Sequence, residues 1–195
     1  MPAGTSDDRL AAAMAAIDAA NAADPNREPD GTPRELAYGQ RMTGWLERLQ
    51  PSAPEPLQLA VRAQHIERWL IPRADYPEGR TGYKRWRSDL ARRHAARLGE
   101  IMTAAGYPPE AATRAADLIQ KKRLAHDPEA QTLEDVACLV FLQHYFAAFA
   151  AKHPRAKVID IVRKTWRKMS DRGHDAATSL PLPDDLSALV AEAVG

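Results

Sequence analysis

Prolines cut this chain into segments of about one helix each, and inside the segments apolar side chains recur at intervals of three and four residues. Proline has no amide hydrogen and clashes with the preceding turn, so it opens and closes helices but is rejected from their interiors. Spacing by three and four places side chains on one face of a helix, whereas a half-buried strand alternates at every second residue. No alternating stretch, internal repeat or glycine-rich nucleotide loop occurs in the sequence. The expected fold is therefore an all-α, single-domain bundle of about seven to nine helices. Its predicted parts are an N-terminal helix and loop over residues 1–31, a core over 32–172, and a tail with a short helix over 173–195. With 195 residues, one hydrophobic core suffices without a disulfide or a structural metal.

The segments follow from their start and stop signals. Leu10, Met14 and Ile17 share a helical face behind Ser6 and Asp7. Thr32-Pro33-Arg34-Glu35 reads as a capping box with proline at the first helical position, opening a helix that carries Leu36, Met42, Trp45, Leu46 and Leu49. Pro51, Pro54 and Pro56 separate it from a helix in which Leu57, Val61, His65 and Trp69 fall at successive fours. Residues 71–82, rich in proline and glycine, are expected to form an ordered loop. A long helix over 83–105 follows, with Trp86, Leu90, His94 and Leu98 again four apart. Pro108 and Pro109 open a shorter helix to about Lys122. Thr132 is expected to cap the most apolar helix, 133–152. Pro154 restarts the chain into a helix over 158–171, and Asp184 caps a last short one.

Charge narrows the function classes. The net charge is only +1, yet residues 62–97 hold ten Lys or Arg against four Asp or Glu. A basic zone inside a neutral chain suits a small anionic or phosphorylated ligand better than a long nucleic acid. The single cysteine, Cys138, lies in the apolar run 136–141 and reads as a small buried side chain, not as a nucleophile. One cysteine allows no intrachain disulfide. The first ten residues lack the basic-then-apolar pattern of a signal peptide, and the apolar run around 136–142 is shorter than a bilayer. The expectation is a cytoplasmic protein with no membrane partner.

Two constellations carry chemistry. His65 and His94 each interrupt an apolar stripe, and a buried imidazole is costly unless its nitrogens find partners. Either one read alone is a core histidine with its hydrogen bonds met. Together with Asp135 from a third helix, they read as a metal site for Mn, Fe, Zn or Co, provided that they converge. Asp135 also admits a plain role near a helix N-terminus. The second constellation interleaves guanidinium groups with aromatic rings: Arg68, Arg73, Tyr76, Arg80, Tyr83, Trp86 and Arg87. Arginine binds phosphate bidentately and rings stack on bases, so these are candidate ligand-binding residues, and a solvated basic face over buried aromatics is the alternative. Lys121-Lys122-Arg123 reads as a complement to a helix C-terminus. His126 beside Asp127 is explained by a turn before Pro128. The sequence lacks a Gly-x-Ser-x-Gly, a His-Glu-x-x-His and a Cys-x-x-Cys motif.

Gln64-His65-Ile66-Glu67-Arg68-Trp69, continued by Pro72-Arg73, Tyr76-Pro77, Gly79-Arg80, Gly82-Tyr83, Trp86-Arg87 and His94-Ala95, forms one recognisable pattern. The run from Leu133 to Leu142, with Lys164-Thr165-Trp166 and Lys168-Met169-Ser170, forms another. Together they resemble a family of domains of unknown function, number 4202, over most of the chain. A more distant resemblance is to the HD-domain superfamily of helical metal-dependent phosphohydrolases. It implies an HD-like bundle in which His65 stands for the histidine of the His-Asp pair, Asp135 for the late aspartate and His94 for an additional ligand. It also implies a metal that activates water for attack on phosphorus. The position of the pair's aspartate is Ile66 here, and residues 36–41 offer no early histidine. Two functions follow as expectations: metal-assisted phosphoester hydrolysis with Arg73, Arg80 or Arg87 on the phosphate, or a non-catalytic binding or regulatory module that has lost the metal. RNA binding has only the basic aromatic stretch behind it.

Overall fold

The structure, a computed structural model, describes residues 6–195, and all regular elements among them are helical. A lone bridge between Arg27 and Pro33 is the only β pairing among the described residues. The chain divides into two compact units, Met1–Ala130 and Gln131–Gly195.

The first unit contains α1 (Ser6–Ala22), α2 (Arg34–Leu49), α3 (Glu55–Arg62), α4 (Gly79–Ala104) and α5 (Pro109–Ile119). Helix α1 packs on α2, α3 and α4, and α5 lies against both α3 and α4. Ile17, Met42, Leu57, Leu59, Leu98, Met102 and Leu118 are fully buried between them. Each such side chain removed from water contributes on the order of 2 kcal/mol. The second unit holds all but the first turn of α6 (Pro128–Val140), then α7 (Phe146–Ala150), α8 (Arg155–Trp166), α9 (Asp171–Thr178) and α10 (Asp184–Val194). Leu133, Val136, Leu139, Phe146, Val158 and Val162 form its buried interior, and α8 packs on α10. Cys138 is buried, as its apolar setting suggested, and its thiol donates to the Thr165 carbonyl at 3.8 Å.

Residues 79–82, expected as loop, already belong to α4, and α10 has its N-cap at Pro183 with no side-chain cap from Asp184; three further local expectations also differ from what forms. The capping box does not: the N-cap of α2 is Pro33, with no side-chain cap, and the amide of Glu35 donates to Asp24 Oδ2 at 3.0 Å. A carboxylate outside the helix thus replaces Thr32, and the Glu35 side chain is left for another role. The predicted helix through Trp69 stops at Arg62, and residues 63–67 turn. Finally, α6 starts at Pro128 because Asp127 Oδ1 accepts from the amides of Glu129 (3.1 Å) and Ala130 (3.3 Å), so Thr132 lies inside the helix instead of capping it. With one π turn at Phe141–Tyr145, the helical run reaches Ala150. Pro128–Ala150 is 23 residues long and apolar enough to cross a bilayer by length and composition. Half of its most apolar stretch is buried, as in a core helix.

Candidate functional site

The turn after α3 builds the first part of the site. Glu67 adopts a left-handed conformation (φ 52°), costly for a residue with a Cβ, and its amide donates to Asn21 Oδ1 at 3.0 Å. Its carboxylate pairs with Arg93 and Arg97 of α4, each at 3.3 Å. This reversal brings Arg68 back towards His65, and Arg68 NH1 lies 2.7 Å from His65 Nε2.

That contact fixes the tautomer. A guanidinium only donates, so Nε2 must hold the lone pair and the ring proton must sit on Nδ1. Nδ1 faces Glu35 Oε2 at 3.3 Å. The imidazole lies flat on the Tyr38 ring, with centroids 3.9 Å apart and planes 10° apart. Burial raises the Glu35 carboxyl to about 7, against an opposing pull from the Arg68 charge. Burial and the same Arg68 charge hold His65 well below 6.5, so it is neutral near pH 7. The imidazole of His65 thus lies between the Glu35 carboxyl and the Arg68 guanidinium.

His94 comes from the buried face of α4, 3% exposed, with its ring centroid 6.3 Å from that of His65. Burial lowers it to about 4, with a smaller opposing influence from the backbone of Ile66. No atom of the described residues meets hydrogen-bond geometry with either Nδ1 or Nε2 of His94. The backbone of Ile66 approaches the ring without full hydrogen-bond geometry, which leaves the buried imidazole poorly satisfied. Gln64 Oε1 is buried and unpaired as well. A buried polar group without a partner costs on the order of 1–3 kcal/mol, and such groups call for an explanation.

These groups line one cleft of about 330 Å³ within the first unit. Its walls are Gln64, His65 and Arg68 from the turn, Arg87, Ser88, Leu90, Ala91, Arg92 and His94 from α4, and Ile119, Gln120 and Lys121 at the end of α5. Part of the basic zone is neutralised locally. Arg62 chelates Asp18, Arg93 and Arg97 hold Glu67, and Arg92 bonds Asp89. Arg87 has no carboxylate partner among the described residues. Lys121 reaches the cleft from a left-handed position (φ 54°) just past α5, where glycine commonly sits. Its placement corrects the reading of Lys121 as a mere complement to a helix end, whereas Lys122 does pair locally, with Asp117 at 2.6 Å.

The other expected ligand-binding residues have separate places. Trp86 is buried, its Nε1 donates to the Ile71 carbonyl at 2.9 Å, and Arg68 stacks 4.8 Å from its ring centroid, so it supports Arg68 from beneath. Tyr83 leans on Trp86 at 5.8 Å and is 46% exposed. Arg73 donates to the carbonyls of Tyr76 (2.8 Å) and Pro77 (3.0 Å), and Tyr76 Oη donates to Asp89 Oδ2 at 2.8 Å. Both hold the loop ahead of α4 in shape. A Cβ on Gly82 would lie 1.8 Å from the Pro77 oxygen, which shows how closely that loop crosses the first turn of α4. Arg80 is exposed in that turn and is not among the residues lining the cleft.

Asp135 belongs to the second unit, where its position has a local explanation. Oδ1 accepts from the Ser170 amide (2.8 Å) and Gln131 Nε2 (3.0 Å), and Oδ2 accepts from Ser170 Oγ (2.5 Å). Ser170 in turn caps α9 by accepting from the Gly173 amide. The residues do not compose the metal set that the HD resemblance implies. Asp135 is engaged with Ser170, the aspartate position is the buried Ile66, and Glu67 is held by two arginines. The lone pair of His65 faces a guanidinium, where a second cation would be repelled. Among the described residues no group of three or more His, Cys, Asp or Glu is placed to hold a metal.

Glu35, Tyr38, Gln64 and Lys121 were absent from the sequence-based site. Glu35 did leave a trace: it shares the helical face of Met42, an unusual place for a carboxylate, but the capping-box pattern absorbed it. A family model described as a domain of unknown function matches residues 11–190. No curated protein and no solved structure matches the chain.

Proposed function

The chain belongs to DUF4202, and for this member we propose that the first unit binds a small phosphate-bearing ligand in the cleft between His65 and His94. The observation that carries the reading is the cleft wall on which Arg87, with no carboxylate partner among the described residues, stands with Arg68 and Lys121 beside the two histidines. Three cationic side chains suit a phosphate dianion, with the guanidinium groups able to grip it bidentately. The left-handed backbone at Glu67 and Lys121 supports the same reading, since strain of this kind gathers at functional sites. A cleft of this size fits a sugar phosphate or a similar small molecule more readily than a polynucleotide.

Kinship with the HD superfamily is part of the proposal. In this reading the helical scaffold and His65 persist, and Ile66 marks the loss of the pair's aspartate. The residues favour the binding module over the metal-dependent hydrolase for the reasons of fit given above. The test is thermal unfolding of untagged protein with inorganic phosphate and a panel of sugar phosphates and nucleotides. A ligand specific for the folded state at a hundred times its Kd adds about 2.7 kcal/mol. Arg87→Ala should weaken the response by roughly tenfold, the scale of one charge-assisted hydrogen bond, while Arg80→Ala leaves it unchanged. If no phosphate compound raises the unfolding temperature, or if Arg80→Ala and Arg87→Ala behave alike, the proposal is wrong. Stoichiometric Mn, Fe, Zn or Co, lost in His65→Ala, would restore the hydrolase.

A further inference from the structure

The tautomer imposed on His65 points past simple binding. We infer that Nε2 of His65 is a phosphoryl acceptor, which takes a phosphoryl group from a small phosphorylated donor and holds it as a phosphohistidine. This deepens the phosphate-binding reading and rests on it.

Four features of the ring argue for it. The nitrogen that carries the lone pair is the one turned to Arg68, in the cleft that Arg87 and Lys121 also line. The opposite nitrogen faces Glu35 Oε2 at 3.3 Å, close enough for the carboxylate to balance the positive charge that the ring acquires when Nε2 bonds to phosphorus. Stacking on Tyr38 leaves the ring one orientation. Finally, the Arg68 guanidinium that covers Nε2 at 2.7 Å is itself a phosphate ligand. A phosphate dianion is a stronger acceptor than a neutral imidazole, so its arrival draws Arg68 onto the phosphoryl oxygens and exposes the nitrogen beside the phosphorus. The device keeps the nucleophile covered until the donor is bound.

With phosphoramidate as donor the step balances. The Nε2 lone pair forms the N–P bond while the P–N bond of the donor breaks, and its electron pair leaves on ammonia. Phosphoramidate carries its amine protonated, so no further acid is needed. The Nδ1 proton passes to the Glu35 carboxylate, and the ring ends neutral and phosphorylated. Arg68 and Arg87 balance the charge of the transferred group.

The experiment incubates the untagged, folded chain with phosphoramidate and follows intact mass and the modified residue, alongside the thermal response to inorganic phosphate. The expected result is one phosphoryl adduct, labile to acid and stable to base. It forms on His65 faster than on the exposed His126 of the same chain, and that advantage disappears in urea. His65→Gln should unfold cooperatively and carry no such adduct. Glu35→Gln keeps an accepting oxygen but no charge. Compared at saturating phosphoramidate, it should unfold as cooperatively as the parent chain yet form the adduct roughly tenfold more slowly, which separates positioning of charge from a structural role. A phosphate response with no adduct, or with His65 no faster than His126, overturns the acceptor and leaves the binding cleft standing. Full-rate modification of the Glu35→Gln protein overturns the part given to Glu35. The lack of both response and adduct overturns both proposals.

Discussion

Replacing Glu35 by glutamine should make the protein more stable, and only above neutral pH. The Glu35 carboxyl is buried, and folding raises it from 4.5 to about 7, burial being the main cause. Between those two values the folded chain holds a proton that the unfolded chain has released. Stability from this group is therefore greatest below pH 4.5 and falls as pH rises through about 7. At about 1.4 kcal/mol per pH unit, the loss across the window is about 3 kcal/mol. Glutamine resembles the protonated carboxyl in shape, keeps an oxygen for His65 Nδ1 and never ionises. The two proteins should match near pH 5, and the variant should be ahead by about 3 kcal/mol at pH 8. His65 and His94 act in the opposite direction. Both are held neutral in the fold, so they contribute stability above the unfolded value of 6.5 and lose it as pH falls through their lowered values. Because both proteins keep these histidines, their contribution drops out of the difference at each pH. Urea unfolding followed by circular dichroism at pH 5, 6, 7 and 8 measures that difference directly. A difference that stays constant across the series, or a variant weaker at pH 8, would refute the assignment of a buried, uncompensated carboxylate.

Two further outcomes follow from the packing. His94→Leu removes two polar atoms without partners, so it should raise stability by about 1–3 kcal/mol while abolishing the gain from phosphate compounds; thermal melts with and without ligand read both effects. Gly82→Ala puts a methyl 1.8 Å from the Pro77 carbonyl and forces the loop away from α4, with a loss of about 1–3 kcal/mol in urea unfolding and a weaker phosphate response, because the same loop supplies the Ile71 carbonyl that anchors Trp86 beneath Arg68.

Much of the site was legible as residue types and little of it as partnerships. His65 and His94 stood out because each broke an apolar stripe, and the fold does bring their rings together. The reason offered for His65 was incomplete, since it sits in a turn past the end of α3 and not on a helical face. Of the seven arginine and aromatic candidates, Arg68 and Arg87 line the cleft, Trp86 supports Arg68, and Arg73 and Tyr76 brace the loop. Arg73 and Tyr76 are drawn away because donors on a loop are claimed first by nearby carbonyls and carboxylates, a competition that composition does not display.

The helical class, the places where helices begin after prolines, and the basic zone were all determined by the sequence alone. Each depends on neighbours within a few residues: the missing amide of proline, the period of an apolar face, the local surplus of arginine. The choice of partners was decided only by tertiary structure. Glu35 meets His65 from thirty positions away, Lys121 arrives from the end of another helix, and Asp135 turns to Ser170 in the second unit. A side chain's short-range signals are the same whether it caps a helix, pairs with an arginine or faces a cleft. Burial and distance separate those roles, and both come into being when the helices pack.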